Sequence, residues 1–178
     1  MGSRQLRHRC QHPARGLSPS GQADHFTDIA ADANWQFTFS PKKVASDVIS
    51  THATIIHEDQ DLGASAALSG ASHHGDLTTM RADISYSIAA TVTPSAQLFR
   101  TTGTNNAAYW PTPTGSPDSS GALLEVAYVP FGKPWSLIGW GNLRLAAQYV
   151  FYTRFDGQTQ GASNNNTLYL SLWAAWHF

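Results

Sequence analysis

Histidine is the residue type in this chain best able to do chemistry, and eight histidines are present. His73 and His74 are adjacent, and His57 directly precedes Glu58 and Asp59. Adjacent residues in an extended strand point to opposite faces, so neither run brings two ligands to one metal ion unless the chain folds around it. The spacing is typical of solvated histidines, and we predict no metal site.

Other motifs that could do chemistry are also incomplete. "GSPDSSG" (residues 115–121) has only one carboxylate, whereas Ca²⁺ takes about six to eight oxygen ligands, so this segment is typical of a turn. No serine is flanked by the glycines of a nucleophile elbow. Cys10 is the only cysteine, which excludes a disulfide within the chain. The sequence therefore predicts no catalytic residue, no bound cofactor and no enzyme.

The composition is unusual for a soluble domain. The chain has 178 residues, the length of one domain, and only 13% of them are charged, whereas about 25% is usual in soluble proteins. The net charge of −1 gives no electrostatic reason to expect a nucleic-acid partner. No apolar run is long enough for a transmembrane helix. Low charge with ordinary apolar content (42%) suits a β-barrel that has one face in lipid.

The last twelve residues, "TLYLSLWAAWHF", alternate with period two, which is the period of a strand. Two interpretations are open: the edge strand of a soluble sandwich, and the closing strand of an outer-membrane barrel. An aromatic residue two positions before a terminal Phe resembles the bacterial barrel-assembly signal, which implies the barrel-assembly machinery as a partner. The predicted signal residues are Leu168, Leu170, Leu172, Trp176 and Phe178.

The same alternation predicts an all-β fold, an antiparallel up-and-down meander of about seven strands. A β-sandwich remains possible on strand count. Long strands, and aromatic residues near strand ends, favour a transmembrane barrel. The predicted strands are residues 24–40, the segment from the turn at 40–43 to about 59, then 77–89, 95–102, 122–129, 142–155 and 167–178.

The connections separate into longer loops and shorter turns, as they do in outer-membrane barrels, except that the segment 131–141 is long for an inner turn. With the C-terminus placed in the periplasm, we expect outer loops at 60–75, 103–121 and 156–165 and inner turns at 40–43, 89–94 and 131–141. Seven strands is an odd number, whereas bacterial barrels have an even number. We therefore expect 24–178 to be the C-terminal part of a larger barrel, a curved open sheet, and 1–23 to be disordered or non-native.

Polar and charged residues alternate with the apolar ones, so they share the opposite face of the predicted sheet. In a barrel this face lines the lumen, where mixed charges set up a field across a channel. The alternative is that the charges pair with one another and plug a narrow barrel. The lumen-facing candidates are Asp28, Asp32, His52, Glu58, Arg81, Asp83, Glu125, Arg144, Gln148 and Arg154.

Several segments carry a family resemblance: "IIHEDQDLGAS" (55–65), "MRADISY" (80–86), "FRTTGT" (99–104), "GSPDSSG", "YVPFGKPW" (128–135), "NLRLAAQYVFYTRFDG" (142–157) and the closing strand. From residue 24 onward the chain resembles a porin-like proteobacterial family of outer-membrane proteins often labelled cytochrome c. The resemblance implies an outer-membrane location, lipid as a partner and, in a full-length parent, a c-type haem with a redox partner. The CxxCH motif that attaches such a haem is absent, because "HRCQHP" has one cysteine. The alternative function is therefore the barrel portion of a haem-linked electron-transfer protein.

Overall fold

The computed structural model describes residues 23–39, 46–70, 72–131, 133 and 141–176. In these ranges seven strands and one short α-helix follow one another, with a 3₁₀ helix before the last strand. They are β1 (Asp24–Thr38), β2 (Val48–Leu62), α1 (Gly63–Ser69), β3 (His74–Ser87), β4 (Val92–Gly103), β5 (Ser119–Tyr128), β6 (Gly141–Arg154), the 3₁₀ helix (Ala162–Asn165) and β7 (Thr167–Trp176).

All seven strands lie in one sheet in the order of the sequence, and every neighbouring pair is antiparallel. The predicted meander and open sheet are therefore confirmed. In the described part of the chain β1 pairs only with β2 and β7 only with β6, so the sheet has two edges. Neither helix there has the length and apolar character needed to cross a membrane.

The strands extend further than the alternation predicted. β2 continues to Leu62 and β3 begins at His74, so most of the expected loop 60–75 is strand or the helix α1. The Asp24 carboxylate at the start of β1 accepts hydrogen bonds from the backbone N–H groups of Ala64 (2.8 Å) and Ser65 (3.0 Å). These bonds satisfy donors that the first turn of a helix leaves free, which holds α1 against the sheet.

Other sequence predictions fall partly or wholly outside the described residues. These are the segment 1–22, the inner turn 40–43, most of the inner turn 131–141, and the last two residues, including Phe178. The fourth strand begins at Val92 instead of 95, because Pro94 is tolerated in the strand. The inner turn between β3 and β4 is accordingly short, residues 88–91.

The two faces of the sheet differ sharply. Of the large hydrophobic side chains that are exposed, all but Ile56, Tyr169 and Trp173 alternate onto one face, which we call the apolar face. Nothing in the described part of the chain packs against this face. The buried hydrophobic residues of that part of the chain are few, and most of them are alanines. The described strands form one layer, so they do not build the sandwich that strand count had left possible.

The register between β5 and β6 slips by one residue. Gly121 lies opposite Tyr152, whereas Ser120 lies opposite Arg154, so β6 has one extra residue at this point. Such a β-bulge reverses which face the following residues occupy. A Cβ on Gly121 would lie 1.9 Å from the carbonyl oxygen of Phe151. Only glycine permits this close approach of the two strands.

We expect Gly121→Ala to lower the free energy of unfolding by about 1–3 kcal/mol, because overpacking forces the backbone of β6 away from β5. The matched control is Gly75→Ala, whose new Cβ meets first the flexible end of Gln60 at 2.9 Å. Urea titration of both variants in neutral detergent measures the difference. Equal midpoints for the two variants would contradict the close approach at the bulge.

Candidate functional site on the polar face

The register brings nine of the ten candidate residues to one face, which we call the polar face. Opposite residues in antiparallel strands share a face. Three of the observed pairs join two candidates each: Asp28 with Glu58, His52 with Asp83, and Glu125 with Gln148. The remaining three alternate with these along their strands, and they are Asp32, Arg81 and Arg144.

Arg154 departs from the sequence prediction. It follows the bulge and lies opposite Ser120, which alternates with Ala122 and Leu124 on the apolar face. Its guanidinium Nη1 lies 3.1 Å from Oδ2 of Asp118. The alternation in β6 had placed Arg154 with Arg144 and Gln148, and the extra residue at the bulge moves it to the other face.

The polar face is concave. A cavity of about 520 Å³ is lined by side chains from all the strands between β3 and β7, including Arg81, Gln97, Gln148 and Tyr169. A second cavity of about 350 Å³ covers β2 to β4 and is lined by His52, Glu58 and Asp83, among others. One hollow can contact five strands only if the sheet curves around it. The curvature is barrel-like and the polar residues are on its inner side.

One ionic cluster joins β1, β2 and β3. His52 Nε2 lies 2.6 Å from Oδ2 of Asp32, and His52 Nδ1 lies 3.2 Å from Oδ2 of Asp83. Thr54 donates a hydrogen bond of 2.8 Å to the same Asp32 oxygen. Both ring nitrogens therefore face carboxylates, and a protonated ring can donate to both.

A second ion pair joins β5 and β6, where Arg144 Nη2 contacts Oε1 of Glu125. Five of the predicted residues are thus paired with one another across strands. The other charged candidates of this face, Asp28, Glu58 and Arg81, have no ion-pair partner among the described residues. The face combines neutralised pairs with single charges, so neither of the two expected arrangements, open lining or full pairing, describes it completely.

No chemistry beyond charge and hydrogen bonding is apparent in the described ranges. They contain no group of three His, Cys, Asp or Glu side chains placed to hold a metal ion. His73 and His74 are exposed at the start of β3. In the His52 cluster the Thr54 hydroxyl lies 3.2 Å from His52 Nε2, but it donates its hydrogen bond to the Asp32 carboxylate that also contacts this nitrogen.

The loop 104–118 between β4 and β5 lies within the expected outer loop 103–121, but the sequence did not indicate that it packs on its neighbours. The Thr114 hydroxyl donates to the carbonyl of Asp156 (2.5 Å), and Gly157 N–H donates to the carbonyl of Asp118 (2.8 Å). Burial, together with the charges of Glu58 and Asp24, raises the pKa of the Tyr109 phenol. The loop therefore extends toward the β1–β2 end of the sheet.

We expect the loop to loosen at alkaline pH. The folded chain holds the Tyr109 proton more tightly than the unfolded chain, so the neutral phenol stabilises the folded state. This stabilisation is fully present below the ordinary tyrosine pKa, about 10. It is lost as the pH rises through the raised pKa of Tyr109 in the folded chain. Proteolysis within 104–118 should therefore accelerate above about pH 10. Tyr109→Phe should flatten that acceleration and remove amplitude from the late part of the tyrosine absorbance titration. Identical curves for the two proteins would refute the assignment.

The terminal strand carries the most exposed apolar side chains. Leu168, Leu170, Leu172 and Trp176 are between 60% and 77% exposed and share the apolar face. Four predicted signal residues thus form one continuous stripe along the edge strand β7. Phe178 lies outside the described residues, and its role stays a prediction.

Comparison of the chain with protein-family models, with curated proteins and with solved structures gives no match. The resemblance to the porin-like family therefore remains a prediction. So does the haem-linked alternative, which rests on that resemblance alone. The two unlike faces of the sheet are the features of the molecule that bear on its function.

Proposed function

We propose that the chain is the C-terminal part of a porin-like outer-membrane β-barrel and is not an enzyme. The observation that carries the proposal is the division of one curved sheet into an exposed apolar face and a concave face of charged and polar groups. A soluble single-layer sheet would leave an apolar surface far larger than monomeric proteins tolerate. In a bilayer the same surface is in contact with lipid, and the concave face lines an aqueous lumen.

Aromatic side chains near one end of the sheet support a membrane location with the apolar face in lipid. Phe37, Tyr86, Tyr128 and Trp176 all lie on the apolar face at one end of the sheet, the end that also holds the turn 88–91. The Phe37 and Phe39 rings are 4.9 Å apart, and Phe39 and Tyr86 are 6.2 Å apart, each pair edge to face. Aromatic girdles of outer-membrane barrels occupy the interface between hydrocarbon and headgroups. Because periplasmic turns of such barrels are short, the end that holds the turn 88–91 is the periplasmic end in this proposal.

The proposed partners follow from the same geometry. The apolar face contacts outer-membrane lipid, and the exposed stripe on β7 is read by the barrel-assembly machinery. The single charges Asp28 and Arg81, with the ion pairs beside them, contribute to the field across the lumen.

Lipid contact can be mapped residue by residue. In a Cys10→Ser background, single cysteines at Leu98 and Leu124 on the apolar face are compared with cysteines at Gln97 and Glu125, their chain neighbours on the polar face. A fluorophore on each is exposed to nitroxide-bearing phosphatidylcholine after refolding into vesicles. Strong quenching at 98 and 124, with weak quenching at 97 and 125, is expected. Equal quenching on both faces would reject the membrane orientation.

A further inference from the structure

Two arginines interrupt the apolar face at the end of the sheet nearest the long loops. Arg100 on β4 lies opposite Ser120 on β5, and Ser120 lies opposite Arg154 on β6. Arg154 reaches this face because of the bulge at Gly121. Neighbouring strands are about 4.8 Å apart, so the two arginine backbones are roughly 10 Å apart with a serine between them.

The arginines share one pocket. A cavity of about 260 Å³ is lined by Arg100, Thr101, Thr102, Ser119, Ser120 and Arg154. Of the hydroxyl-bearing residues in this lining, Thr102 and Ser120 alternate onto the same face as Arg100, and the Ser120 hydroxyl lies 3.0 Å from the Thr153 hydroxyl. Two guanidinium groups with hydroxyl donors are the set that proteins use to bind phosphate oxygens.

The charge in the pocket is only partly neutralised. Asp118 binds Arg154, and its other oxygen accepts a hydrogen bond from the N–H of Gly103 (3.1 Å). Arg100 is exposed and has no ion-pair partner among the described residues. Asp118 therefore orients one arginine, while the other remains able to pair with an anion.

The position of the pocket indicates where its ligand is. The next residues along the same face are Leu98 on β4, Ala122 on β5 and Phe151 on β6, all apolar. The pocket is thus at the boundary between the apolar band and the loops, where lipid headgroups lie if the proposed function is correct. An exposed arginine costs much less at this depth than at the bilayer midplane.

We propose that Arg100 and Arg154 bind the phosphate of an anionic membrane lipid, on the lipid side of the sheet and at its loop end. The inference rests on the proposed function, because the pocket is at headgroup depth only if the apolar face is in lipid. It also gives the β5–β6 bulge a role, since Arg154 shares the pocket only through the bulge.

The test counts bound lipids by native mass spectrometry of the full chain in a neutral maltoside detergent. Phosphatidic acid, phosphatidylglycerol and phosphatidylcholine with identical acyl chains are the probes. We expect about a five-fold preference for phosphatidic acid over phosphatidylcholine, the preference that one arginine near an anionic surface produces. Arg100→Gln should abolish this preference. Arg81→Gln, which removes the same charge from the polar face, should leave it unchanged.

Further outcomes separate this proposal from its alternatives. If Arg100→Gln retains the preference, or if Arg81→Gln loses it equally, the pocket is not the site. Displacement of the lipid by equimolar inorganic phosphate would identify a soluble-anion site and overturn lipid binding. Insertion of the wild-type chain into pure phosphatidylcholine vesicles is scored separately by flotation. Failure to float would overturn the proposed function, whereas flotation without a lipid preference would overturn this inference alone.

Discussion

Leu98→Arg is expected to lower the stability of the lipid-inserted chain by about 1–3 kcal/mol. Leu98 lies between the bilayer midplane, where a cation on the lipid face costs about 2–4 kcal/mol, and the interface, where the cost falls to about 1 kcal/mol or less. Leu98 is 66% exposed on the apolar face and lies close to the middle of β4. Its neighbours across the strands are Ala82 and Ala122, and the nearest charged residue of its own face is Arg100, two positions along β4. An arginine at 98 therefore gains no carboxylate partner and adds a second cation beside Arg100.

The matched control is the adjacent residue at the same depth. Gln97 lines both large cavities of the polar face, so Gln97→Arg places its charge in the hollow near Asp83. This change should alter stability much less. The measurement is the urea midpoint for release from phosphatidylcholine vesicles, read by tryptophan fluorescence. Comparable losses for the two variants would mean that the apolar face is not the lipid face.

The strands and their order could be predicted because most of the strands alternate with period two over eight or more residues, although Ile56 interrupts the pattern in β2 and the alternation in β4 is weak. The alternation of Leu124 with Glu125, for example, indicates which face of the sheet each residue occupies. Helix α1 could not be predicted in this way. Its seven residues are too few for a helical period, and the Asp24 carboxylate that caps it is about forty residues away in the chain.

The content of the polar face was predictable, but its pairing was not. That His52 lies between Asp32 and Asp83 depends on the registers of two hairpins, which alternation does not fix. Arg154 was wrongly grouped with the polar face for a related reason. A bulge adds one residue without a marked pattern, and Gly121 was the only sign of it, within a segment that is typical of an ordinary turn.

The largest expected effect concerns the edges of the sheet: the chain alone should self-associate instead of forming a closed, conducting barrel. Consecutive strands alternate in direction, so the first and seventh run the same way. Closing β1 onto β7 would require a parallel pair in an antiparallel sheet. Unpaired backbone groups at a lipid-exposed edge cost several kcal/mol each. Because β1 has fifteen residues and β7 has ten, pairing these two edges with strands of another copy is strongly favoured.

The strand directions also predict which edges meet. Two copies that point the same way could join β7 to β1 only in parallel, whereas two copies related by a two-fold axis across the sheet can pair β1 with β1, or β7 with β7, in antiparallel. In detergent, where no bilayer fixes a common orientation, like edges should therefore pair.

In a Cys10→Ser background, cysteines at Ala33 in β1 or at Ser171 in β7 should form oxidative cross-links. A cysteine at Ala96 in β4, which has a partner strand on each side, should not. Because mixed chains carrying Ala33→Cys and Ser171→Cys should yield few unlike cross-links, efficient β1–β7 linkage would contradict the predicted pairing of like edges. A monodisperse monomer that conducts ions in a planar bilayer would overturn it entirely, since such a monomer needs the closed seven-strand barrel that the strand directions disfavour.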